Sequence, residues 1–117
     1  MANVETGRVV HVLSGVPYEL YVGRAMPRYH LPESPYANPY KVGRDGDLAK
    51  VLELYELHAR ENMDLETLRL FLWHPGPVLA CWCAPKDGTP LTLSGPEICH
   101  GQTLLRLAAE GNASLLD

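Results

Sequence analysis

The chain has 117 residues, a formal net charge of −4, 46% hydrophobic and 21% charged residues, and three cysteines. That length suits a single domain over 1–117 with one core, and the balance excludes a disordered chain, an apolar membrane span and a wholly basic nucleic-acid binder. Met1 to Val10 carries Glu5 and Arg8 without a long apolar stretch, so no signal peptide is read there; the odd cysteine count argues against a closed disulfide framework and points to a reducing, cytoplasmic setting.

Arg8 to Leu13 is β-branched and apolar, which predicts a strand. Ser14 to Pro17 reads as a turn and Tyr18 to Val22 as a second strand, paired with the first as a hairpin. A long loop follows over 24–46. Asp47 then caps a helix whose apolar residues Leu48, Val51, Leu52 and Tyr55 recur at helical spacing through His58, with a break at Glu61 to Met63. Asp64 caps a shorter helix with Leu65, Leu68, Phe71 and Leu72 as its stripe, ended by the run Trp73 to Pro77. Val78 to Cys83 is near-continuously apolar, which predicts a strand buried on both faces and central in the sheet. A second loop covers 84–98, and Cys99-His100-Gly101 opens a last helix with the stripe Leu104, Leu105, Leu107 and Ala108. Gly111 is expected to close that helix after Glu110, leaving a tail over 112–117 whose two leucines could dock on a neighbour. The order β-β-α-α-β-α predicts a small α/β (or α+β) fold, a single-layer sheet with flanking helices.

Charge and proline are unevenly spread. Residues 24–44 hold Arg24, Arg28, Lys41 and Arg44 against Glu33 alone, so this segment is +3 and the rest of the chain −7. The segment also holds four of the ten prolines and three of the six tyrosines, Tyr29, Tyr36 and Tyr40. Proline this dense excludes a regular helix or a central strand. A basic, tyrosine-rich loop suits an anion or a nucleotide, with guanidinium for phosphate and rings for stacking; the plainer alternative is a solvated loop whose tyrosines pack on the core.

All three cysteines fall between positions 81 and 99. Cys81 and Cys83 lie two apart on a strand and so share a face, with Trp82 on the other. Three readings stand. Cys81, Cys83, Cys99 and His100 are a complete four-ligand set for zinc, although C-x-C and C-H are not the usual knuckle spacings and adjacent residues have difficulty reaching one ion. Cys99 at a helix N-terminus could instead be an activated thiol, with His100 moving a proton. Lastly, the cysteines could simply pack, the helix N-terminus offering bare N–H groups to an anion. His11, His30, His58 and His74 stand apart from one another and read as packing or surface residues.

Four stretches together resemble the small bacterial and phage family DUF4326, a domain of unknown function. They are Tyr21-Val22-Gly23-Arg24, Ser34 to Tyr40 (similar to the family's S-x-W-G-N-P-F), Leu79 to Pro85 around Cys-Trp-Cys, and Cys99-His100-Gly101. The likeness runs over about residues 18 to 110. Tyr36 and Ala37 stand where the family usually has Trp and Gly, Gln102 stands where it has an acid, and the loop after Cys-Trp-Cys is longer. The resemblance implies that Arg24, Asn38, the cysteines and His100 form one unit; it brings no activity with it.

Joined together, these readings point to a site for a nucleotide or another phosphorylated small molecule. It would be formed by the basic loop, the end of the Cys-Trp-Cys strand and the start of the last helix. Arg24 would grip the anion, Asn38 and Gln102 would orient the ligand beside Cys83, and Tyr36 or Tyr40 would stack. Catalysis through Cys99 and His100 and pure binding both remain open. The alternative is a zinc-stabilised, non-enzymatic interaction module in phage or bacterial nucleic-acid metabolism. Non-specific single-strand binding is disfavoured by the net negative charge.

Overall fold

The structure, a computed structural model, describes residues 7–72 and 76–116, with side chains up to residue 110. The expectations for Met1 to Glu5, for Trp73, His74 and Pro75, and for the leucines of the tail lie outside the described residues.

Four strands form one sheet: β1 (Arg8–His11), β2 (Leu20–Tyr21), β3 (Val78–Cys81) and β4 (Leu91–Thr92), in the spatial order β2-β3-β1-β4. β3 is buried at all four positions and hydrogen-bonded on both edges, as its unbroken apolar sequence requires. β1 runs parallel to it with Arg8 opposite Val78 and His11 opposite Cys81, and β2 runs parallel on the other side with Leu20 opposite Leu79. The expected β1–β2 hairpin is therefore not formed, because β3 lies between the two. The segment between β1 and β2 returns along the sheet, so that the Glu19 N–H donates to the Val78 carbonyl at 2.9 Å. That return path is what two parallel strands need and a hairpin does not. β4, inside the second loop, closes the far edge antiparallel to β1.

The helices are α1 (Leu48–Asn62), α2 (Leu65–Phe71) and α3 (His100–Leu116). Asp47 caps α1 by accepting the Lys50 N–H at 2.8 Å, and Asp64 caps α2 by accepting that of Thr67 at 3.0 Å. α1 runs to Asn62 and is capped at Met63, inside the expected break. α3 continues past Gly111, which does not end it, so the backbone of 112–116 is helical. α3 packs on β1 and β3, and α1 and α2 pack on α3. One core holds Val9, Tyr55, Leu68, Leu79, Leu104 and Leu105 together with Cys81 and Cys99. Among the described residues no helix is long and apolar enough to cross a membrane.

Gly101 sets the distance between α3 and the sheet. A Cβ there would lie 2.9 Å from Val9 Cγ2, a side chain held rigid in β1, so only glycine lets the helix start this close.

Candidate functional site

The site is built where β3 ends and α3 begins. Cys81 is the last residue of β3, and the chain leaves the sheet through Trp82 and Cys83. Cys99 directly precedes α3, whose first residue is His100. One ligand atom from each of Cys81, Cys83, Cys99 and His100 falls within 4.8 Å of the others, with only Cys83 exposed. The expectation that Cys99 and His100 have difficulty reaching one ion is thus overturned.

The Sγ atoms of Cys81 and Cys83 are 3.2 Å apart, and Cys81 Sγ is 3.8 Å from each ring nitrogen of His100. His100 Nε2 donates to the Val22 carbonyl at 2.6 Å. A carbonyl can only accept, so Nε2 carries the proton. Burial holds the imidazole pKa below its ordinary value and the ring neutral, which leaves the Nδ1 lone pair for a donor or a metal. The same ring stands edge-on to Tyr55, centroids 4.9 Å apart. Burial likewise pushes the Cys81 thiol pKa up.

Cys83 and Cys99 are joined as a disulfide with Cα atoms 5.7 Å apart, and Cys81 is a buried free thiol. The odd count rules out pairing every cysteine but permits this one bridge. In this state Cys99, 1% exposed and bonded, is not an available nucleophile.

A cavity of about 620 Å³ opens over the cluster. Its walls bring together Arg24, Asn38 and Tyr40 from the loop with Cys83, Cys99 and His100 from the floor. Arg24 is partly committed to the wall itself: its Nε donates to the Asn38 carbonyl at 3.1 Å and its Nη2 to that of Tyr40 at 2.8 Å. Asn38 accepts the Tyr40 N–H on Oδ1 at 2.9 Å, an Asx-type turn that leaves its Nδ2 as the group able to meet a ligand. Lys41 adds a second cation, and Val42, Leu48, Val51 and Leu52 make an apolar side. The stripe of α1 reads in sequence as core alone, and nothing in its spacing separates the residues that face a cavity.

Two expected ligand contacts are placed elsewhere. Tyr36 packs against the core, and its carbonyl accepts the Tyr55 hydroxyl at 2.6 Å. Gln102, 1% exposed, is a helix cap. Its Oε1 accepts the N–H groups of Ile98 and Cys99 at 2.8 and 3.0 Å, and its Nε2 donates to the Thr92 and Pro96 carbonyls at 2.9 and 3.0 Å. That is the backward reach of a capping box, made by the third residue of α3. The Gly101 N–H points to Cys99 Sγ, and those of Gln102 and Thr103 to the Cys99 carbonyl. These N–H groups are therefore engaged within the chain, and the expected bare anion cradle is not formed from them. Trp82 lines the cavity too and donates to the Tyr21 hydroxyl at 2.7 Å, so it is half-buried at a wall rather than central to the core. Gly23 lets the Tyr21 ring fold back over the chain toward the Arg24 carbonyl. His11 is buried, takes the Leu13 N–H on Nδ1 at 3.1 Å and stacks edge-on with Trp82.

The model of the family described as domain of unknown function DUF4326 matches residues 10–110, and the chain belongs to that family. No curated protein and no solved structure matches it. The stretches Tyr21 to Arg24, Ser34 to Tyr40, Cys81 to Cys83 and Cys99 to Gly101, which are far apart in sequence, each supply a wall, a floor or a support of this one cavity.

Proposed function

We propose that the chain is a metal-centred binding domain. The thiolates of Cys81, Cys83 and Cys99 and the Nδ1 of His100 hold one zinc ion, which ties the end of β3 to the start of α3. The observation that carries this reading is the convergence of four ligand atoms within 4.8 Å of one another. A tetrahedral site with Zn–S bonds of about 2.3 Å needs sulfur atoms about 3.8 Å apart, a span that small side-chain shifts reach from here. Two further features support it. The donor set is nitrogen and sulfur only, which suits zinc over magnesium or calcium. The other ring nitrogen of His100 is tied to a backbone carbonyl, the outer-shell arrangement that orients a ligating histidine. Four protein ligands close the coordination sphere, so the role assigned to the ion is structural. The test is metal analysis of protein purified under reducing conditions without chelator. One zinc per chain is expected, with a lower melting temperature after chelation; reduced protein without metal overturns the reading.

A second reading concerns the cavity above the ion. We propose a nucleotide or another phosphorylated small molecule as its occupant, bound without chemistry. Support comes from the pairing of Arg24 and Lys41 with the Tyr40 ring and an apolar side, with no acidic side chain in the lining among the described residues. Thermal shifts with a nucleotide panel test it. Stabilisation is expected to weaken in Lys41→Ala and with rising salt. A panel without effect overturns it and leaves the metal reading standing.

A further inference from the structure

Two of the four ligands of the proposed metal centre are also the two ends of a disulfide. A sulfur in a disulfide has no thiolate charge to give a metal. Bridging Cys83 to Cys99 therefore leaves Cys81 and His100, two donors where a structural zinc site needs four. The same cluster can exist as a Cys₃His metal site or as a disulfide with a free thiol beside it, but not as both.

The geometry also selects which sulfurs are exchanged. Cys83 is the exposed member of the set, while Cys81 and Cys99 are 3% and 1% exposed. A reagent from solvent meets Cys83 first. Its partner is then decided by the backbone. The Cα atoms of Cys83 and Cys99 are 5.7 Å apart, in the middle of the range a disulfide spans. Cys81 Sγ lies 3.2 Å from Cys83 Sγ and is not bonded to it; it is a buried free thiol only two residues away along the chain.

We propose that Cys83 is an oxidation site and that its disulfide with Cys99 displaces the metal; this rests on the metal-centre reading above. The oxidant is of the hydroperoxide class, for example hydrogen peroxide. The Cys83 thiolate attacks one peroxide oxygen, the O–O bond breaks, and Cys83 sulfenic acid and hydroxide are formed. The Cys99 thiolate then attacks Cys83 Sγ, the S–O bond breaks, and a second hydroxide leaves. The two sulfurs have together given two electrons to the peroxide, both hydroxides take protons from solvent, and the ion departs. A dithiol reductant attacking the exposed Cys83 Sγ reverses the bridge and is itself oxidised to a disulfide. Cys83 and Cys99 line the cavity floor, so the exchange also changes the surface a bound ligand would meet.

The test uses the full chain, reduced and loaded with zinc, then treated with hydrogen peroxide while released zinc is read with a chromophoric chelator. Peptide mapping follows. One zinc released per Cys83–Cys99 disulfide is expected, with rebinding after dithiothreitol and fresh zinc. A sulfenic-acid trapping reagent added during brief peroxide treatment should label Cys83 at least about tenfold more than Cys81 or Cys99, because Cys83 is the sulfur that solvent reaches. Loaded protein that forms the disulfide yet keeps its zinc overturns the exchange alone, as does zinc loss with a Cys81 pairing or with sulfenic acid trapped first on Cys81 or Cys99. Reduced protein that takes up no zinc overturns the metal centre and the exchange together.

Discussion

The side chain of Gln102 accepts the backbone N–H of Cys99 at 3.0 Å while its amide nitrogen holds the carbonyls of Thr92 and Pro96. One residue thus fastens the helix start, β4 and the second loop to each other. An acid at this position could accept the same two N–H groups but would have no donor for the two carbonyls.

Gln102→Ala should therefore destabilise the fold by about 2–3 kcal/mol, since it strands one buried and one part-buried donor and two acceptors at once. Gln102→Glu should fall between the two, keeping the acceptors and losing the donors. Urea unfolding with an unchanged m-value measures both; a loss under about 0.5 kcal/mol for the alanine variant would place Gln102 outside any structural role.

Gly101→Ala should cost about 1–3 kcal/mol by overpacking against Val9. Val9→Ala alone should cost about as much by leaving a gap. The double variant should be clearly less destabilised than the sum, because one methyl fills part of the space the other vacates. Additive losses in a double-mutant cycle would show that the close approach of α3 to β1 is not what requires the glycine.

Tyr55→Phe keeps the buried ring and removes the hydroxyl that donates to the Tyr36 carbonyl. A loss of about 1 kcal/mol is expected, together with faster proteolysis within the loop that carries Asn38 and Tyr40. Unchanged cleavage would mean that this bond does not hold the cavity wall.

Acid should weaken the contact between α1 and α3. Hydrogen bonding from Arg106 holds the Glu56 carboxyl below the usual carboxylate range; burial opposes this, and Arg60 adds a smaller lowering. Arg106 also reaches Glu97 and Glu110. A depressed folded-state pKa means stability that is present above the unfolded value and lost as pH falls through the folded one. The pair is about a third exposed, so the contribution is under about 1 kcal/mol. Between pH 5 and pH 3, roughly the window around an unperturbed Glu, wild type should lose more stability than Arg106→Gln. Parallel curves would remove the ion cluster as a source of acid sensitivity.

Much of this was legible in sequence because its causes are local. Asp47 and Asp64 announced two helix starts by side-chain capping, and Val78 to Cys81 announced a central strand by having no polar face to leave in water. Arg24, Asn38, Tyr40, Cys83, Cys99 and His100 were all expected near one site and all line one cavity. Strand pairing was not legible: the hairpin reading of β1 and β2 failed because β3, which separates them, is more than fifty residues further along the chain. Tyr36 was misplaced for a related reason, since a tyrosine that stacks on a ligand and one that packs on a core look alike until the neighbours are known.

By itself the sequence determined a net charge of −4 in one short domain, a +3 loop on a −7 body, and three cysteines beside one histidine. Those are properties of residues and their near neighbours. Only the tertiary structure decided that the four side chains meet within 4.8 Å, that Cys83 faces solvent while its partners do not, and that Gln102 caps rather than contacts the cavity. These depend on how closely α3 approaches the sheet, and that distance is set by Gly101 against Val9 across nearly the whole length of the chain.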